Sequence, residues 1–199
     1  MHPRSIAEKV LAYIRMINLH LYKPTPSHGR ETTASILKWS PPPAGTVMVN
    51  VDAAMFNQSR RMGVGVVIRD HTGKCLAACS EHHEEVATPE IAEAVAMRRA
   101  LIFVAEEGLA NVIVSSDCLS LVNRVSALVD DRSLCGPITH DIRQMVRSFN
   151  SCTFQHVKRG LNVLAHKLAK FSEFSVCSVW RGYSPDCIRE DICNDILIM

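Results

Sequence analysis

Three carboxylates in this chain stand where they could do chemistry together. Asp52 closes the alternating run TVMVNVDAA, Asp117 closes the mostly apolar run NVIVSSD, and Glu93 lies near the start of the segment between them. If the two runs are neighbouring parallel strands, Asp52 and Asp117 lie side by side. Two carboxylates that close repel each other unless a cation or a proton separates them. Mg²⁺ suits such a set, because it prefers oxygen ligands and keeps several of its waters. Glu93 heads the stripe Met97, Ala100 and Val104, an otherwise apolar line and an unusual place for a solvated acid. The alternative for each aspartate is a turn or a helix cap, and Asp117 could cap a helix that begins at Leu119.

The elements that would position these acids follow from the patterning. Alternation predicts strands over 47–53, 62–69 and 74–80, and Asp70-His71-Thr72-Gly73 is a turn that joins antiparallel strands, so the three form a meander. The glycines of GVGVVIR point to a bend or a close backbone approach. Thr88 can cap a helix that opens at Pro89, runs to 107 and stops at Gly108. A strand is expected over 111–117, helices over 119–129 and 137–149, a strand over 152–157 and a helix over 162–172. This succession gives an α/β fold, a mixed sheet with helices packed on it. Three parts are expected: a helical extension and linker over 1–38, the main domain over 39–173, and a tail over 174–199 with a short helix near 188–197. The extension has apolar residues at helical spacing (Ile6, Val10, Tyr13, Ile14, Ile17, Leu21), and the linker KPTPSHGRETTAS is rich in Pro, Ser and Thr. Trp39 and the prolines after it mark an extended entry to the domain.

Bulk properties narrow the function classes. A formal net charge of +2 over 199 residues supplies no global field for nucleic acid, so any such binding must use local basic clusters. The eight cysteines contain no C-x-x-C pair, and several sit in apolar runs as small hydrophobes. Glu8, Lys9 and Arg15 interrupt the first apolar stretch, which has no small-residue cleavage site. No run approaches the ~20 apolar residues of a membrane span. The expectation is an intracellular protein, nuclear or cytoplasmic, without signal peptide or transmembrane segment. His82-His83 with Glu84-Glu85 has the composition of an ion cluster, but the exit segment EHHEEVA is expected to be a solvated loop. Arg98 and Arg99 are expected to be solvent-facing helix charges.

Five segments taken in order, VNVDAA, GVGVVIRDHTGKCLAACS, TPEIAEAVAMRRAL, VIVSSDCLSLV and FQHVKRGLNVLAHKLAK, resemble the type 1 ribonuclease H domain. More closely they resemble its plant, retroelement-derived branch, which Trp39-Ser40-Pro41-Pro42-Pro43 and VWRGYSPDCI also fit. The resemblance implies a ribonuclease H-like fold of five strands, the first three antiparallel. It implies hydrolysis of the RNA strand of RNA–DNA hybrids with four acids and two divalent ions, Mg²⁺ or Mn²⁺. Position by position, the catalytic and metal-binding set implied is Asp52, Glu93, Asp117 and, at the fourth position, His166 where the family has an acid. Imidazole can ligate Mn²⁺ or accept a proton, but it weakens the hard-oxygen character of the second ion site. Ala53 is a second departure, since this branch usually has glycine after the aspartate. The family can also place a histidine before the last acid, which makes a proton carrier the alternative for His156, although a strand-surface residue is the favoured expectation. Lys158 and Arg159 would position phosphates or serve as a solvated turn. The implied partner is an RNA–DNA hybrid or other nucleic acid. The competing readings are a catalytically impaired nucleic-acid-binding module and a retroelement remnant.

Overall fold

Valine-rich alternation builds the first half of the sheet. In the computed structural model, which describes residues 38–56, 61–84, 88–127, 129, 131–174 and 177–197, β1 (Val47–Phe56) runs antiparallel to β2 (Arg61–Arg69), and β2 antiparallel to β3 (Cys75–Glu84). All of these residues lie in the unit Leu37–Met199, and the expected helix over 5–22 falls outside the described residues. The β2–β3 turn is held by Asp70, whose Oδ1 accepts from the Thr72 amide at 2.8 Å and the Lys74 amide at 3.1 Å, while Gly73 takes φ 79°.

The chain then alternates as expected. Helix α1 (Pro89–Glu106) starts with the Thr88 hydroxyl accepting from the Ile91 amide and with proline at its first position; Gly108, at φ 70°, ends it. β4 (Asn111–Ser116), α2 (Leu119–Ser126), α3 (Gly136–Val146) and β5 (Ser151–His156) follow, then a 3₁₀ turn (Arg159–Leu161) and α4 (Val163–Phe171). β4 lies parallel to β1, with Asn50 beside Ser115, and β5 parallel to β4. The tail adds β6 (Cys177–Arg181), antiparallel to β3, and α5 (Asp186–Leu197). Among the described residues the sheet therefore has six strands, in the order β5-β4-β1-β2-β3-β6, rather than five. The sixth was missed because CSVWR is short and mixes polar with apolar residues, as an edge strand can.

Strand alternation sorts the two faces of the sheet. Val47, Val49, Val51, Val64, Val66 and Ile68 pack with Met97, Leu101 and Phe103 of α1 and with α2 and α3 in one cluster. Val67 and Ala78 pack with Leu164, Leu168, Ile188 and Ile192 of α4 and α5 in another. Asn50 and Asp52, out of phase with the valines of β1, face α4. The glycines of β2 explain how close α4 comes. A β-carbon on Gly63 would collide with the Ala169 carbonyl, and one on Gly65 with the Ala165 carbonyl and the Ala169 nitrogen. The Ser80 hydroxyl adds a 2.8 Å hydrogen bond to the Leu168 carbonyl.

Two expectations need correction. The segment after Ser80 is not a solvated loop through Glu84, because β3 continues there and pairs His82 with Gly63 and His83 with Met62. Arg99 is not a solvent-facing charge. Its guanidinium grips the Glu81 carboxylate with hydrogen bonds of 2.6, 2.8 and 2.9 Å, and its side chain is only 17% exposed. Both errors have one cause: the extended β3 brings Glu81 under α1, so a charge on the helix finds its partner on the sheet. Arg98, by contrast, pairs with Asp141 at the surface.

Candidate metal centre

The three acids converge. One carboxylate oxygen from each of Asp52, Glu93 and Asp117 lies within 4.8 Å of the others. Asp52 is the sixth residue of a ten-residue strand, not its terminus. The β1–β4 ladder runs from Val47 with Val112 to Asn50 with Ser115, and β4 stops at Ser116. β1 continues against β2, with Asp52 opposite Gly65. Asp117 follows directly after the end of β4, and its carboxylate converges with those of Asp52 and Glu93. Asp117 makes no cap to the following helix, whose N-cap is Cys118 without a side-chain hydrogen bond. Glu93 comes in from above, on the second turn of α1, and beneath it Met97, Ala100 and Val104 are fully buried. A cleft of about 480 Å³ opens beside the acids, lined by Pro89, Glu90, Glu93, Asp117, Cys118 and Ser120.

The electrostatics follow from this crowding. Burial pushes the Asp52 carboxyl up to about 6, and the Asp117 charge adds to the shift against a hydrogen bond from His166. Glu93 is pushed up to about 8, by burial first and then by the charges of Asp52 and Asp117. The Ala53 amide, which donates to it, and the Arg159 guanidinium oppose the shift. His166 and Arg159 offset only part of these shifts, whose first cause is burial, and hard oxygen donors so placed fit a divalent cation.

His166, on α4, reaches the acids through Asp52, with its Nδ1 2.7 Å from Asp52 Oδ2. An ionised carboxylate can only accept, so Nδ1 carries the proton whenever Asp52 is charged, and Nε2 is the nitrogen left for a ligand. The other expected positions are less involved. His156 is exposed at the end of the edge strand, level with Ser116. Lys158 and Arg159 are exposed beyond it. His82 and His83 are strand residues, and Glu85 lies outside the described residues; among the described residues the converging acidic set is Asp52, Glu93 and Asp117.

Asn162 was not singled out from the sequence, although it touches the site directly. Its amide donates to Asp117 Oδ1 at 3.2 Å and to the Val51 carbonyl at 2.9 Å. Its own oxygen accepts from Asn50 at 3.2 Å. The available signal was the phase of Asn50, a polar residue two before Asp52 in an otherwise apolar strand.

A strand-order reversal around β1, a helix laid on two glycines and acids from β1, α1 and the end of β4 define a ribonuclease H-like domain. Solved structures with this fold agree. The RNase H1 of the halophilic archaeon Halobacterium salinarum NRC-1 superposes with a TM-score of 0.60 at 22% identity, covering 65% of this chain and 98% of that one. The N-terminal RNase H domain of a Mycobacterium tuberculosis protein, solved as a fusion with maltose-binding protein, gives 0.59 at 18% identity, with coverages of 66% and 95%. LC11-RNase H1, from a compost metagenome and solved with an RNA/DNA hybrid, gives 0.56 at 24%, with coverages of 62% and 94%. The chain belongs to the reverse transcriptase-like family, whose sequence profile matches residues 50–172. A comparison with curated proteins gave no match. No helix among the described residues is long and apolar enough to cross a membrane.

Proposed function

We propose that this domain binds RNA–DNA hybrids and hydrolyses their RNA strand with divalent cations held by Asp52, Glu93 and Asp117. The observation that carries the reading is the convergence of three carboxylates within 4.8 Å, two of them raised well above the ordinary range of such groups. Hybrid as the substrate is supported by the relatives of the same fold, one of them solved in complex with an RNA/DNA hybrid. The flanking segments around Trp39 and Trp180 support the plant, retroelement-derived branch.

A bound divalent cation, Mg²⁺ or Mn²⁺, would lower the pKa of a water and neutralise charge on the scissile phosphate. The protein's own residues do the rest. Asp52 and Asp117 present oxygens from adjacent strands at a fixed separation, and Glu93 closes the set from the helix. Arg159, exposed and close enough to pull the Glu93 carboxyl downward, would supply positive charge for a phosphate near the acids. His166 occupies the family's fourth position, where its Nδ1 competes for the Asp52 oxygen that a second ion would also need.

That contact favours a second reading, in which the domain binds nucleic acid but turns over slowly or not at all. A labelled hybrid incubated with Mg²⁺ or Mn²⁺ separates the two. Metal-dependent cleavage that disappears in Asp52→Asn supports the enzyme. Retention of the hybrid without cleavage, in the presence or absence of metal, supports the binding module and contradicts the hydrolase.

A further inference from the structure

A buried hydrogen-bond relay runs from the tail helix to the metal centre. At its outer end Asp195, on α5, takes a 2.6 Å ion pair from Arg69, whose side chain is 1% exposed. The Trp39 ring stacks on the guanidinium, with its centroid 3.5 Å from Cζ. The other terminal nitrogen of Arg69 donates to Asn50 Oδ1 at 3.3 Å. Asn50 Nδ2 donates to Asn162 Oδ1 at 3.2 Å, and Asn162 Nδ2 donates to Asp117 Oδ1 at 3.2 Å. Asn50, Arg69 and Asn162 are all buried.

The direction of this relay is fixed at both ends. Arginine has donors and no acceptor, so the Asn50 oxygen must face Arg69 and its NH₂ must face Asn162. The Val51 carbonyl, an acceptor only, makes the same demand of the Asn162 amide from the other side, at 2.9 Å. Asn162 can then offer Asp117 only an N–H. That N–H occupies one lone pair of a carboxylate that has three others, fixing its rotation and leaving oxygen for a cation. A reversed amide would place an oxygen against Asp117 and push it away.

We infer that Asn162 is a positioning residue for Asp117, and that Arg69, Asn50 and the tail residue Asp195 hold it in the one orientation that serves a cation. The inference rests on the metal-binding part of the proposed function and extends it to a segment that carries no acid of the site. It also gives Trp39 and α5 a task beyond packing, since together they clamp the arginine.

Mn²⁺ binding, followed by electron paramagnetic resonance on the full chain without substrate, tests this apart from catalysis, with thermal melting as the control for folding. Asn162→Ala is expected to weaken Mn²⁺ about 10- to 100-fold, the usual cost of losing an outer partner of a metal ligand. Asp195→Ala, a change at a partly exposed position, is expected to weaken it about 2- to 30-fold. The double variant is expected to bind no worse than Asn162→Ala alone, because both act through one relay. Arg69→Met is expected to fall in the same range as Asp195→Ala, and Arg69→Lys, which keeps a donor, to recover most of the loss. Should Arg69→Met fail to fold, the Asn162 and Asp195 variants still decide. Mn²⁺ uptake that requires Asp52 but ignores Asn162→Ala in a folded protein would overturn the inference alone. Mn²⁺ uptake that Asp52→Asn leaves unchanged would contradict the metal centre itself.

Discussion

Asp52 stands between a partner that wants its charge and neighbours that oppose it. His166 donates to it at 2.7 Å, while burial and Asp117 push its carboxyl up to about 6. Replacing the imidazole with a carboxylate removes the competitor and adds a hard oxygen, so His166→Asp is expected to admit a second ion and improve Mg²⁺ as the supporting metal. One added contact of about 1.4 kcal/mol would tighten the ion tenfold. Titration calorimetry with Mg²⁺ would read this as a rise in stoichiometry and affinity. An unchanged isotherm in a folded variant would show that the fourth position is not what limits ion binding. The protons on the acids make a second expectation. Glu93, pushed up to about 8, and Asp52 retain protons in the native state that the unfolded chain releases near their ordinary values of 4.5 and 3.8. Below pH 8 a divalent ion must therefore displace protons, and apparent affinity is expected to rise with pH until Glu93 is ionised. Calorimetry in two buffers of different ionisation enthalpy would count the protons released, and a count of zero at pH 7 would contradict the assignment.

At the scale of elements, the position of α4 depends on two glycines. Gly65→Ala would drive a methyl group into the helix backbone at Ala165 and Ala169, next to His166. Overpacking of this kind costs about 1–3 kcal/mol and sometimes more. A fall in the thermal midpoint together with loss of the His166–Asp52 contact is the expected result; wild-type stability would mean that the helix does not sit this close. The glycines are also where the sequence was most informative. GVGVVIR predicted close approach, TPE predicted the start of α1, and the alternation of TVMVNVDAA predicted β1 with Asp52 on it. Element boundaries shifted by a few residues, because strands continue as long as a neighbour pairs with them, and β1 and β3 find partners beyond their apolar runs. The same blindness hid β6, Arg99 with Glu81, and the Asn162 relay. Each is a partnership between segments far apart in the chain, and local spacing carries no signal for it. The acids were legible as candidates because each ends or heads an apolar pattern; their convergence needed the β1–β4 register.

For the molecule as a whole, the site places two raised acids inside a fold that would be easier to hold without their charges. Between about pH 4.5 and 8 these two acids bind more protons in the metal-free native state than in the unfolded chain, so their contribution to stability falls as pH rises through this window. A smaller opposite contribution is expected from His83, whose pKa burial lowers. A saturating divalent ion takes the place of those protons and is expected to flatten the dependence and raise the melting temperature. Melting curves at several pH values with and without Mg²⁺ would check the sign; stability rising with pH in the metal-free protein would contradict it. The tail belongs to this balance, since β6 closes one edge of the sheet and α5 anchors Arg69. The most direct test is cleavage of an end-labelled RNA–DNA hybrid by the purified chain in Mg²⁺ or Mn²⁺, run beside Asp52→Asn and Asp117→Asn. The expected result is metal-dependent cutting of the RNA strand by the wild type and none by either folded variant. Cutting that persists in both variants, or a wild type that leaves the hybrid intact in both metals, would contradict a hydrolytic centre at these acids.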